Sequence, residues 1–227
     1  MRIAFFDFDR TLLAKNSAAL WFRQEFHEGR ISRWQAFRAS LGLFGYHLGF
    51  SALEGQLRSA IAGLRGTPMQ TLRERTRAFY ESRLRMLYRP GGQAALAEHR
   101  RLGDKLVLLT SSSAYLAEQV AQELALDHVL CNRFEVDTRG QHTGRSEGEL
   151  CFGEGKLRVA QAYVESLGAS LVGTVFYTDS FSDLPVMNAV GRAVAVNPDR
   201  RLRAEAKRRG WEIADWGEPQ NEVRTAS

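Results

Sequence analysis

The chain has 227 residues, 44% hydrophobic and 25% charged, with a formal net charge of +5 and a pI near 9.5. These proportions exclude a disordered, collagen-like or coiled-coil chain, and the length allows one sizeable core or a core carrying a smaller insert. The positive surplus is spread over many helices without an aromatic-basic reading motif, so no nucleic-acid partner is expected and the surface is read as favouring anionic substrates.

The first element is the short apolar run Ile3 to Phe6, which stops at Asp7, Asp9 and Thr11. Such a run suits a buried parallel strand with chemistry at its carboxyl end. A long helical stretch follows, about Asn16 to Tyr88. Ile31, Trp34, Phe37, Leu41, Phe44 and Leu48 recur at helical spacing, as do Leu53, Leu57, Ile61 and Leu64, then Met69, Leu72, Phe79 and Leu87. Ser51-Ala-Leu-Glu54 reads as a capping box, and Thr67-Pro68-Met69-Gln70 as another with proline at the first helical position.

Arg89-Pro90-Gly91-Gly92 closes that block. Strands and helices then alternate. Leu106–Leu109 is a strand, followed by a helix from about Ala114 to Leu124. Val129–Val136 is strand-like and Asp137 to Gly140 is a hairpin turn. A helix runs from about Gly155 to Leu167, and Val175–Thr178 is a strand with a helix after Ser182. Ala193–Val196 is a further strand, and a basic helix spans Arg200 to Arg209. This alternation implies an α/β fold, a parallel sheet wrapped by helices, with the strand carboxyl ends along one edge.

Cys131 and Cys151 form no CxxC pair and lack neighbouring ligand histidines, so they read as reduced thiols, with a single disulfide between them left open. The start MRIAFFDFDR places acids where a secretory leader needs its apolar stretch. No apolar run reaches the ~18–20 residues of a membrane helix. A cytoplasmic protein is expected, and membrane association is not.

Four separated elements end a strand or begin a helix with a reactive group: Asp7-Phe-Asp9-Arg-Thr11, Thr110-Ser111-Ser112, Lys156, and Asp179-Ser-Phe-Ser182-Asp183. In a parallel sheet these converge on one crevice. Several carboxylates with one lysine describe a hard-metal phosphate site: carboxylate oxygens bind Mg²⁺, metal and lysine neutralise phosphoryl oxygens, and a carboxylate can attack phosphorus.

This set resembles the haloacid dehalogenase superfamily, through the DxDxT motif at Asp7 to Thr11. It is most similar to the phosphoserine-phosphatase-like branch of subfamily IB, with the resemblance covering about residues 1 to 215. The resemblance implies a Rossmann-like three-layer core (1–15 and 89–216), an inserted all-helical cap of the C1 type (16–88), and a flexible tail (217–227). It implies that Asp7 attacks phosphorus to form an aspartyl-phosphate, and that Asp9 protonates the leaving oxygen and then activates water. Thr110 and the main-chain N–H of Ser111, at a helix start, bind the phosphoryl group with Lys156. Mg²⁺ is held by Asp7, the Asp9 carbonyl, Asp179 and Asp183, the last directly or through water.

The chain departs from that branch in three places. Asn16 stands where an acidic cap residue pairs with the substrate amine, which makes Asn16 the first candidate substrate contact and puts phosphoserine in question. The second motif reads Thr-Ser-Ser where Ser-Gly-Gly is usual, and Ser180 and Ser182 stand where Gly and Asn are usual. The expected activity is hydrolysis of a small phosphorylated metabolite. The alternatives are a lipid-phosphate phosphatase resembling a phosphatidylglycerophosphatase, a phosphotransferase or mutase, and a non-catalytic phospholigand-binding module. The lipid alternative draws on the apolar segment Leu41 to Phe50, whose Gly42, Gly45 and Gly49 share nearly one helical face; the plainer reading is close helix packing. The basic run Arg73, Arg75, Arg77, Arg83, Arg85 and Arg89 is read as a solvated face, the alternative being that one or two of its side chains reach the crevice and bind an anionic leaving group, and His142 as a packing or surface residue. No oligomeric state is assigned.

Overall fold

The computed structural model describes residues 2–29 and 50–219. Its strands are β1 (Ile3–Phe6), β2 (Lys105–Ser113), β3 (His128–Val136), β4 (His142–Glu147), β5 (Thr174–Thr178), β6 (Arg192–Val196) and β7 (Glu212–Ala214). They form one sheet in the order β4-β3-β2-β1-β5-β6-β7, in which only the β3–β4 pair is antiparallel. The described α-helices are α1 (Ser17–His27), α2 (Phe50–Ala62), α3 (Met69–Phe79), α4 (Pro90–Arg101), α5 (Ala114–Glu123), α6 (Glu154–Ser166), α7 (Leu184–Ala189) and α8 (Arg200–Arg209).

The alternation of side chains along β1 explains the three layers. Ala4 and Phe6 face one core with Leu96 of α4 and Leu116, Ala117 and Val120 of α5. Ile3 and Phe5 face the other core with Ala160 and Val164 of α6, Val186 of α7 and Leu202 of α8. Because both faces are covered, every residue of β1 and β5 is buried, β1 as a continuous apolar run and β5 as an apolar centre between Thr174 and Thr178. The α/β class read from the sequence is the class observed. The strand β2 runs four residues beyond Leu109 to Ser113, β4 is the second arm of the hairpin expected around Asp137 to Gly140, and β7 is a strand that the periodicity did not mark.

The sequence pattern misplaced two helix starts. Ser51 lies inside α2, which already includes Phe50. The helix α3 begins at Met69 and not at Pro68, and no side chain caps it. The β3–β4 hairpin supplies the missing partners: Met69 N–H donates to the Gly140 carbonyl at 2.9 Å, and the Thr67 carbonyl accepts from His142 N–H at 3.0 Å. His142 is buried, with Nδ1 2.8 Å from that same carbonyl and Nε2 2.8 Å from the Tyr115 hydroxyl, so it is a packing residue.

The basic run is not a uniform solvated face. Arg75 pairs with the buried Glu25 and lies 5.4 Å over the Trp21 ring; Arg77 and Arg85 pair with Glu81 and Glu123; Arg89 is buried. Cys131 and Cys151 are both free, and burial pushes the Cys151 thiol up to about 12. Among the described residues no helix is long and apolar enough to cross a membrane. The apolar segment around Gly42, Gly45 and Gly49 lies outside the described residues.

Candidate active site

Register brings the reactive groups together. Phe6 pairs with Leu108 of β2 and with Tyr177 of β5, so the residues that follow each of these strands emerge at one edge. Asp7 N–H donates to the Tyr177 carbonyl at 2.9 Å, which pins the first carboxylate to the end of the ladder. This is also where the strand order reverses around β1, the crevice that open parallel sheets use for ligands.

Beyond Asp7 the chain makes a wide helical turn, Phe8–Leu12, broken by Asp9 (ψ 126°) and Arg10 (φ 60°). The turn places Thr11 between two carboxylates: its hydroxyl is 3.4 Å from Asp7 Oδ2 and 3.4 Å from Asp179 Oδ1, and it accepts from Asp179 N–H at 3.0 Å. Asp9 is directed instead to the first residue of α1 and to β2. Its carboxylate accepts from Ser17 N–H at 2.5 Å and from the Ser112 hydroxyl at 3.2 Å.

Lys156 is 1% exposed and enters from the first turn of α6. Its approach depends on Gly155, where a Cβ would sit 2.1 Å from the Leu150 carbonyl oxygen. A buried ammonium requires compensating charge. Lys156 Nζ finds it in Asp7 Oδ1 at 2.9 Å and Asp183 Oδ2 at 2.8 Å. Thr178 donates a second hydrogen bond to Asp183 Oδ2 at 2.6 Å. The loop carrying Asp179 and Asp183 is braced by Asp199, whose carboxylate accepts from Phe181 N–H at 2.9 Å and from Leu202 N–H at 2.8 Å.

The electrostatics follow from this crowding. Burial pushes Asp7 up to about 7; Lys156 opposes the rise and the neighbouring Asp183 and Asp9 add to it. Burial also raises Asp179 well above its ordinary value of 3.8, reinforced by Asp7 and Asp183. Asp9 is raised by burial against the hydrogen bonds from Ser17 and Ser112. Burial pulls Lys156 down, but the carboxylates of Asp183 and Asp7 outweigh it and its net shift is upward.

One lysine therefore serves two of the acids, while among the described residues no lysine or arginine reaches ion-pair distance of Asp179. Buried carboxylates pressed together with one left uncompensated are a donor set suited to a hard divalent cation. Among the described residues no three acidic, histidine or cysteine side chains are grouped closely enough to hold a metal ion by themselves.

Thr110 is buried at the end of this array, its hydroxyl accepting from Ser112 N–H at 3.1 Å. The expected helix start at Ser111 is displaced: β2 continues through Ser113 and α5 begins at Ala114. The Ser111 hydroxyl donates to the Cys151 carbonyl at 2.7 Å, and the buried Asn132 joins the same two segments through the Ser111 carbonyl (2.6 Å) and Cys151 N–H (2.9 Å). Asn16 caps α1 by accepting from Ala19 N–H at 2.9 Å. Sequence reasoning named Ser112 in the second motif without its role, and missed Thr178, Asn132 and Asp199. Of these only Asn132, a polar residue inside an otherwise strand-like run, carried a local signal.

The doubly wound sheet crowds acids and a buried lysine at the carboxyl end of its first strand, an arrangement suited to chemistry at a phosphoryl group. The family model for haloacid dehalogenase-like hydrolases matches residues 4–188, and the chain belongs to this family. It is similar to a phosphoserine phosphatase of Mycobacterium tuberculosis, 32% identical over 94% of this chain and 70% of the relative. A histidinol-phosphatase of Neisseria meningitidis serogroup C is 25% identical over 94% of this chain and 98% of its own length. A solved structure of a protein with unknown function from Bordetella pertussis Tohama I superposes with a TM-score of 0.84 at 26% identity, over 95% of this chain and 99% of that one. The chain is a phosphatase of this family, of the phosphoserine-phosphatase-like kind.

Proposed function

We propose that the chain is a Mg²⁺-dependent phosphomonoesterase that works through an aspartyl-phosphate on Asp7 and acts on a small phosphorylated metabolite. The observation that carries this reading is the contact between Lys156 and Asp7 at the end of β1, with Asp179 brought to the other carboxylate oxygen through Thr11. The lysine favours the anion of Asp7 against the effect of burial and contacts Oδ1, which leaves Oδ2 for attack. Asp9, raised by burial, is suited to hold a proton for the leaving oxygen and to take one from water in the second half-reaction. Asp7, the Asp9 carbonyl and Asp179 would hold the cation, which supplies charge neutralisation on the phosphoryl oxygens. Asp183, tied to Lys156 and Thr178, contributes charge from behind. Thr110, Ser111 and Lys156 would contact the phosphoryl group.

Substrate choice is assigned to residues 16–88 as a cap. Its two connections to the core lie side by side, with Leu13 bridged to Tyr88 and Ala14 N–H donating to the Leu87 carbonyl at 2.8 Å. A cavity of about 580 Å³ lies between α2 and the core, lined by Glu54 and Arg58 on one side and Phe152, Gly155 and Ser182 on the other. None of Asp7, Asp9 and Asp179 lines it, but Gly155 and Ser182 are the sequence neighbours of Lys156 and Asp183. It is large enough for the organic part of a small metabolite. Phosphoserine and histidinol phosphate, the substrates named for two relatives, both carry an amine. Asn16 has its oxygen committed to α1 and presents no charge to such a group.

A phosphate-release screen with Mg²⁺ across phosphorylated amino acids, amino alcohols, sugars and lipids tests the proposal. Release from small monoesters, abolished by chelator and restored by Mg²⁺, is expected. Full activity after exhaustive chelation, or phosphate appearing only on an acceptor other than water, would overturn it.

A further inference from the structure

We infer that the buried side chain of Arg89, together with the segment Trp216–Glu218, positions the turn that carries Asp9. This rests on the reading of Asp9 as the proton donor to the leaving group. Arg89 is the residue before α4, and its side chain is 6% exposed. Its Nε donates to the Arg10 carbonyl at 3.2 Å, and its Nη1 donates to the Gly217 carbonyl and to Glu218 Oε1, the latter at 2.7 Å. One guanidinium thus spans from the catalytic turn to the end of the described chain.

Arg10 needs such a restraint. At φ 60° it occupies the left-handed region, which a side chain with a Cβ disfavours and which persists only where the surroundings fix it. Its own N–H donates to the Lys15 carbonyl at 3.2 Å, and Arg89 N–H donates to the Leu12 carbonyl at 2.8 Å, so both ends of the turn are held. The carbonyl between them is held by Arg89 Nε. Asp9 immediately precedes Arg10, and rotation of the peptide after Arg10 re-aims it.

The far end of the strut is equally fixed. Gly91 N–H donates to the Trp216 carbonyl at 3.0 Å, and a Cβ on Gly91 would lie 2.6 Å from Trp216 Cα. Trp216 packs on Tyr177 and Phe6, with ring centroids 5.2 and 6.4 Å away. Glu218 is the only acid within ion-pair distance of the buried guanidinium among the described residues. Without it the charge keeps carbonyl partners alone, and the fork that grips Arg10 loses its anchor.

The test uses the whole chain and its variants Glu218→Gln, Arg89→Lys and Arg89→Met, with Mg²⁺, on two esters. One is an aryl phosphate whose leaving group departs without a proton; the other is an alkyl phosphate whose leaving group needs one. A misplaced Asp9 is expected to lower kcat/KM, which reports the steps up to formation of the aspartyl-phosphate and not its shared hydrolysis, for the alkyl ester by about 10–100-fold. The aryl ester should change by less than about threefold. Glu218→Gln, at a half-exposed position, should show the split with a melting temperature lowered by no more than about 4 °C. Arg89→Lys should not rescue Arg89→Met, because a single ammonium cannot span both sets of acceptors. Equal losses on both esters, or no loss in any variant, would overturn the inference. A wild type inactive on both esters would instead overturn the phosphatase reading itself, and the inference with it.

Discussion

Replacing Lys156 with methionine removes one charge and leaves two. The ammonium is 1% exposed and sits 2.9 Å from Asp7 and 2.8 Å from Asp183, which are themselves 7% and 3% exposed. Removing one partner of a buried ion pair typically costs about 3–5 kcal/mol, because the remaining charge has neither water nor a counterion. For a chain of this size each kcal/mol corresponds to roughly 2–4 °C, so Lys156→Met should melt roughly 6–20 °C below wild type when both are scanned in chelator. The double variant Lys156→Met/Asp183→Asn removes one of the two orphaned charges and should recover part of that loss. Thermal unfolding followed by circular dichroism reads both values. A single variant melting within about 2 °C of wild type, or a double variant no more stable than the single, would refute the electrostatic argument.

Asp104 makes a pH prediction of definite sign. Burial raises its carboxyl, but hydrogen bonds from Arg2 and His99 outweigh burial and hold it below its ordinary value of 3.8. A depressed carboxyl stabilises the fold above the unfolded value and loses that contribution as pH falls through the folded one. Asp104→Asn should therefore cost about 1.5–3 kcal/mol at pH 7, with the difference from wild type closing below about pH 4 in denaturant titrations. Gly155→Ala forces the start of α6 away from the Leu150 carbonyl and carries Lys156 with it; kcat should fall by about 10²-fold, and wild-type turnover would contradict the tight approach. Asn16→Asp keeps an oxygen to cap α1, so its melting temperature should hold while kcat/KM rises for amine-bearing phosphates by an amount worth about 1–3 kcal/mol. A wild type already strongly selective for phosphoserine would refute that reading of Asn16.

What the sequence made legible was local and periodic. An apolar run that stops at Asp7, repeated strand–helix alternation, and Gly155 before Lys156 are signals carried within a few residues, and the structure brings those groups to one sheet edge. What escaped depended on long-range partners. Ser112 reads as one more hydroxyl until β2 is seen to run past Thr110 and present it to Asp9. The hairpin at Gly140 and His142 replaced the capping box expected at Thr67, because a backbone segment distant in sequence already satisfied those groups. The arginine run reads as a charged face by spacing alone, yet Arg75 and Arg89 are drawn inward by Glu25 and by the Arg10 carbonyl, neither of which periodicity can place.

The central claim is that Asp7 is the nucleophile of a phosphomonoesterase. It is tested most directly by measuring phosphate release in Mg²⁺ from wild type and from Asp7→Asn on the best substrate the screen provides. The account predicts turnover by the wild type and none detectable from Asp7→Asn, whose amide is a far poorer nucleophile, in a protein that still unfolds cooperatively. Phosphate release by Asp7→Asn at a rate near wild type would contradict it.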